Sequence, residues 1–146
     1  MINNNQATWK SYKQVLPQHA DHAGVMWHGS YLNWLEESRI EALLKVGISY
    51  SQLTLRGFDL PVVSLDINYK KAIYHGENVC LVSQVSKING LRILWNTEFV
   101  KDQELIIAEA NVELVLVRKV DGVMKLLRNY PETFDIALKE LINGNN

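Results

Sequence analysis

The run His19-Ala20-Asp21-His22-Ala23-Gly24-Val25-Met26-Trp27-His28-Gly29-Ser30 gathers a carboxylate and three imidazoles into a glycine-containing loop that leads into a helical pattern. The first N–H groups of a helix are unpaired, and its dipole is positive at that end. Such an end can polarise a carbonyl and stabilise the oxyanion formed when that carbonyl is attacked. A carboxylate poised there, Asp21, can act as general base toward water or as a nucleophile that makes a mixed anhydride with an acyl group. The residues do not choose between these roles. A thioester suits such equipment because a thiolate leaves with little help from a general acid. His19, His22 and His28 stand three and six residues apart, which fits no familiar zinc spacing, so no metal is expected.

The elements that must hold this loop can be read from hydrophobic period. Thr8 to Leu16 reads as a strand closed by Pro17. Tyr31, Trp34, Leu35, Ser38, Ala42 and Val46 recur at helical spacing and predict a helix from Ser30 to Val46, capped by Ser30 and ended by Gly47. Ser49 to Leu55 suggests a further helical turn. The period then changes to two: Val63, Leu65, Ile67 and Tyr69 alternate with polar residues up to Lys70, and Val79, Leu81, Ser83 and Val85 follow the turn at His75-Gly76. Asn89-Gly90 predicts a tight hairpin into Leu91 to Phe99. After a turn at Lys101 to Glu104 comes one long strand through about Lys119, then the Asp121-Gly122 hairpin, a short strand near Met124 to Leu127, and a closing helix from Glu132 to Ile142 with Pro131 in its first turn. A strand, a long helix and then consecutive antiparallel strands argue for an α+β domain with the helix across one sheet face. The uncovered face or edge that remains predicts a homodimer.

Composition narrows the function classes. The chain has 146 residues, the span of one domain, with 47% hydrophobic and 21% charged residues. Its formal charge of -1, from 15 Lys and Arg against 16 Asp and Glu, offers no overall field for nucleic acid or anionic lipid. A phosphate-bearing ligand must be held by a local cluster. Lys70, Lys71 and Arg92, at strand ends or beside a hairpin, are the favoured cations for it, with Arg118 and Lys119 as further candidates. The lone Cys80, expected to be a small core residue, cannot form an internal disulfide, and no apolar signal or membrane span is seen, so a cytoplasmic protein is expected. The asparagine-rich ends, about residues 1–6 and 143–146, are expected to fray.

The run Asp21-x-Ala23-Gly24-Val25-x-Trp27-His28-x-x-Tyr31-Leu32-x-Trp34-x-Glu36 resembles the motif of the hotdog-fold acyl-CoA thioesterases, the group that includes 4-hydroxybenzoyl-CoA thioesterase. The likeness extends through the helix, the strand Val63 to Tyr69 and the Ala72-x-Tyr74 turn. It departs where Lys71 to Glu77 replaces the family's more usual Pro-Ala turn followed by paired acids. The resemblance implies one hotdog domain over residues 1–146, a sheet wrapped around the long helix, and a homodimer or homotetramer with sites at the subunit interface. Asp21 would take the catalytic carboxylate and the backbone N–H near His28 the carbonyl-polarising place. Glu36 falls where an acid meets the ring hydroxyl in the 4-hydroxybenzoyl enzymes. Trp27 and Tyr31 could line an acyl pocket, although their helical spacing also suits plain core. The implied activity is hydrolysis of an acyl-CoA to free acid and coenzyme A, with no cofactor beyond the substrate's own coenzyme A. A hydroxyaryl-CoA thioesterase acting on 4-hydroxybenzoyl-CoA or 1,4-dihydroxy-2-naphthoyl-CoA, and an idle module that binds an acyl-CoA or acyl carrier, are the alternatives.

Overall fold

The computed structural model describes Ile2 and residues 6–144. Eight strands and three helices follow in order: β1 (Trp9–Gln14), α1 (His28–Lys45), α2 (Tyr50–Leu55), β2 (Phe58–Asp59), β3 (Val62–Tyr69), β4 (Asn78–Ile88), β5 (Arg92–Lys101), β6 (Leu105–Val115), β7 (Val117–Val120), β8 (Val123–Leu126) and α3 (Glu132–Asn143). An antiparallel five-stranded sheet has the order β1-β4-β5-β6-β3, and a second sheet has the order β2-β7-β8. This is the α+β hotdog architecture expected from the sequence.

Helix α1 lays Tyr31, Trp34, Leu35, Ser38 and Ala42 on the concave sheet face, where they meet Leu81, Trp95, Phe99, Ala110 and Val112 in one core. Trp34 is 1% exposed, and Phe99 and Leu81 are fully buried. Each such side chain contributes about 1.5–3 kcal/mol relative to exposure. The buried hydroxyls of Ser83 and Thr97 pair with each other at 2.8 Å, so neither is left unsatisfied. Helix α3 closes the end of the core with Phe134, Ala137, Leu138 and Leu141, and Trp9 Nε1–H ties β1 to it by donating to the Leu141 carbonyl at 2.7 Å.

Several expectations change. The long helix starts at His28, not Ser30. Trp27 occupies the cap position without a side-chain bond, while the Ser30 hydroxyl donates backward to the His19 carbonyl at 3.0 Å. The first strand is shorter than Thr8 to Leu16: it pairs with β4 over Trp9–Gln14, and Val15 beyond it exchanges hydrogen bonds with the turn at Gly76 and Glu77, before a 3-10 turn at Pro17–His19. The long strand expected through Lys119 divides at Leu116, whose carbonyl accepts the Leu127 N–H, and β7 crosses into the second sheet. Pro131 stands at the cap of α3. Of the residues assigned to the ends, Gln6 donates through its amide to the Ile142 carbonyl at 3.1 Å, and Asn143 belongs to α3. Met1, Asn3–Asn5, Asn145 and Asn146 lie outside the described residues.

β3 is one edge of the five-stranded sheet, β1 the other. Its alternation predicts one buried face, yet Val62, Val63, Leu65 and Tyr69 are 41–50% exposed in the single chain. An eight-residue edge strand with apolar side chains uncovered is a template for pairing with another strand.

Candidate active site

Asp21 sits in a tight loop that the chain pins at both ends. Its N–H donates to the Val25 carbonyl at 2.8 Å, and its carbonyl accepts the Gly24 N–H at 3.0 Å. Gly24 has φ +79, the left-handed conformation that residues with a side chain adopt at a cost. Asp21 Oδ1 accepts the N–H groups of Ala23 and Val25 at 2.8 and 3.2 Å. The side chain is exposed, and Oδ2 has no partner among the described residues, so one oxygen shapes the loop while the other is free to take a proton.

Two neighbouring segments fix this loop to the helix. The His19 carbonyl accepts both the Trp27 N–H at 2.8 Å and the Ser30 hydroxyl. Leu16 N–H donates to His19 Nδ1 at 3.0 Å, which leaves the ring proton on Nε2, and the ring packs edge-on against Trp34. On the other side, Met26 N–H donates to the Ile73 carbonyl at 2.7 Å and His75 N–H to the Gly24 carbonyl at 3.0 Å. The segment 70–75 is aimed there by an irregularity in the β5–β6 register, after which the Ile107 carbonyl accepts both the Lys70 and Lys71 N–H groups. Asp21 and the start of α1 are thereby held at one end of the molecule.

At that start, the N–H groups of His28 and Gly29 have no hydrogen-bond acceptor among the described residues, whereas the Ser30 N–H returns to the Trp27 carbonyl. Beside them opens a cleft of about 320 Å³ lined by Val25, Met26, His28, Tyr31, Tyr69, Lys70, Lys71 and Ala72. Tyr31 meets Tyr69 edge-on at 4.9 Å and Phe99 at 5.2 Å. Burial, and then the Tyr69 phenol, push the Tyr31 hydroxyl up to about 12, so it remains protonated near neutrality.

The residues singled out from sequence divide accordingly. His28, Tyr31, Lys70 and Lys71 share the cleft, and Asp21 bonds to its rim through Val25. Lys71 has no ion pair among the described residues, whereas Lys70 pairs with Glu109 at 3.1 Å. Trp27 is 49% exposed and lies over the first turn of α1, where a Cβ added at Gly29 would stand 2.2 Å from its ring. Glu36 lines a separate small cavity with Arg39, Tyr50 and Trp95. Arg92 pairs with Glu113 at 3.3 Å and stands opposite Val115, while Lys70 bonds at Ile107. Eight residues of extended strand, roughly 26 Å, separate those two places, so Lys70 and Arg92 form no single cluster within one chain. Cys80 is half-buried on β4. His19, weighed from the sequence with the other loop histidines, is engaged in loop hydrogen bonding. Gly29 was passed over, although its signal was there: a glycine directly after an aromatic pair.

Comparison with known proteins bears on the fold and the family. The chain is 41% identical over 87 residues to "Putative esterase sll0410" of Synechocystis sp., covering 60% of this chain and 52% of that protein. It is 30% identical over 87 residues to "Putative acyl-CoA thioesterase YneP" of Bacillus subtilis, covering 58% and 63% respectively. The matched stretch thus spans about half to just under two thirds of these relatives. The crystal structure of a DHNA-CoA thioesterase from Staphylococcus aureus superposes with a TM-score of 0.80 at 25% identity, covering 92% of this chain and 90% of that one. The thioesterase-like superfamily matches residues 15–134, and the chain belongs to it.

Proposed function

We propose that the protein is an acyl-CoA thioesterase that works as a homodimer in the cytoplasm. One observation carries the reading: a carboxylate with a free oxygen and a helix start with two free N–H groups are fixed to each other at the lip of a cleft. With the thioester carbonyl oxygen at the His28 N–H, the carbonyl carbon becomes more electrophilic and the oxyanion formed on attack is stabilised. Asp21 Oδ2 then takes a proton from the attacking water or bonds to the carbon itself. In the first route the tetrahedral adduct collapses to the acid and expels the coenzyme A thiolate, which is protonated from solvent. In the second, thiolate leaves first and water hydrolyses the anhydride.

The unpaired β3 edge supports a dimer. Antiparallel pairing of β3 with its copy would join two five-stranded sheets, cover Val63 and Leu65, and close the cleft beside Tyr69. Lys71, the cleft cation without an ion pair among the described residues, is the best placed to meet a phosphate of coenzyme A, with Lys70 next to it. An aryl acyl group is a second reading, favoured by the Tyr31 and Tyr69 rings and by the S. aureus DHNA-CoA thioesterase among the similar structures.

A thiol-release assay over aryl, short-chain and long-chain acyl-CoA tests the proposal, with sedimentation analysis of the same sample. Turnover of one class by a dimer is expected. Binding of acyl-CoA without turnover of any class would leave only an idle binding module.

A further inference from the structure

The β7–β8 hairpin stands out from the main sheet and has a graded surface. Its rungs, from the tip inward, are Val120 with Val123, Lys119 with Met124, Arg118 with Lys125, and Val117 with Leu126. At the tip, Val120 is 38% and Val123 58% exposed, and Met124 and Leu126 behind them are 48% and 46% exposed. Arg118, Lys119 and Lys125 are exposed, as is Arg128 just beyond the ribbon, and none of the four enters an ion pair among the described residues. The guanidinium of Arg118 lies 5.4 Å from the centre of the Phe58 ring. Asp121, at φ +51 in the turn, is the one acid of the segment 117–128. A chain of net charge -1 thus carries four cations against one acid in the segment 117–128.

Paired residues of an antiparallel ribbon share a face, and successive pairs alternate. Val120 and Val123 therefore emerge on one face, and Met124 and Leu126 on the other. A protein surface docked on one face would leave the other wet, and a nucleotide phosphate would use the cations but not the apolar tip. A lipid headgroup layer surrounds an inserted tip on all sides. The cations begin one rung behind the tip and extend to the second, within about 7 Å of it, the depth at which apolar groups enter the interface and bases meet lipid phosphates.

We propose that the β7–β8 hairpin is a docking element for an anionic lipid surface, with Val120 and Val123 entering the headgroup layer and Arg118, Lys119 and Lys125 meeting the phosphates. The contact is peripheral and reversible, and it does not depend on the thioesterase reading.

The test is co-sedimentation of the full chain with phosphatidylcholine vesicles with and without phosphatidylglycerol, at low and high salt. Binding is expected only with the anionic lipid and is weakened by salt. Each Lys or Arg at such a surface raises the binding constant about fivefold, so the double variant Lys119→Glu, Lys125→Glu should lose at least about 25-fold. Val120→Ser with Val123→Ser should lose about tenfold. Asp121→Asn keeps a residue that tolerates positive φ and should bind a few-fold tighter, a gain that misfolding does not produce. The proposal is overturned if anionic vesicles are not bound or are bound no better than neutral ones. It also fails if the charge reversals leave vesicle binding intact while raising KM for a short-chain acyl-CoA, which would assign the cations to the nucleotide. Loss of self-association in the Val variants without loss of vesicle binding would mark the tip as a contact between copies and likewise refute it.

Discussion

Replacing Asp21 by Asn separates the two jobs of its carboxylate. Oδ1 holds the loop through the Ala23 and Val25 N–H groups, and an Asn carbonyl oxygen can accept the same bonds. What Asn lacks is the second anionic oxygen, the one with no partner. Loop geometry, and with it KM, should change little, while kcat falls by about two to four orders of magnitude. The lower figure corresponds to about 2.7 kcal/mol of lost transition-state stabilisation. Asp21→Ala removes the two exposed hydrogen bonds as well, each contributing about 0.5–1.5 kcal/mol, and should also raise KM and loosen the loop. The measurement is steady-state thiol release by parent, Asn and Ala enzymes, with near-ultraviolet circular dichroism as a check on folding. Repeated turnover in ¹⁸O-water adds a test of the covalent route, because label in the Asp21 carboxylate requires an anhydride opened at the Asp21 carbonyl carbon. A folded Asp21→Asn enzyme within about threefold of the parent kcat would refute the assignment.

Three further outcomes are expected. Gly29→Ala puts a methyl into the Trp27 ring, so the indole must leave the first turn of α1; near-ultraviolet circular dichroism should change and KM should rise, and an unchanged spectrum would contradict the packing. Leu65→Asp places a charge on the exposed apolar edge of β3 and should give a monomer by light scattering with lost turnover, whereas an active dimer would disprove edge pairing. Burial and the facing Glu109 raise the Glu98 carboxyl above its ordinary 4.5. The folded state then binds that proton more tightly than the unfolded state, so this group's contribution to stability falls as pH rises from below 4.5 through the folded value. Glu98→Gln should be more stable than the parent at neutral pH, with the gap closing in acid; equal melting temperatures at neutral pH would count against it.

Much of the fold is legible because local periods are imposed by local geometry. The stripe from Tyr31 to Val46 could only be a helix, and the Asn89-Gly90 and Asp121-Gly122 pairs carry the positive φ that tight hairpins require, at +50, +71, +51 and +79. The candidate site loop is legible for a different reason: its parts are contiguous in the chain, so Asp21 and His28 arrive together once the helix starts. The start is the exception: the sequence points to Ser30, and the helix begins at His28. A serine ahead of a helical stripe is the usual cap, and only the folded chain shows its hydroxyl bonding to His19, eleven residues back.

The helix stripe, the strand alternation, the turns and a carboxylate beside a helix start can all be read before folding, because each is a product of neighbours along the chain. The tertiary structure alone decided where the strand after Leu105 leaves one sheet for another. It also decided that Glu36 faces a different cavity from the cleft and that Arg92 lies far from Lys70. These are matters of register and helix rotation, set by packing between distant segments. A period of two or of 3.6 is the same whichever partner the element meets.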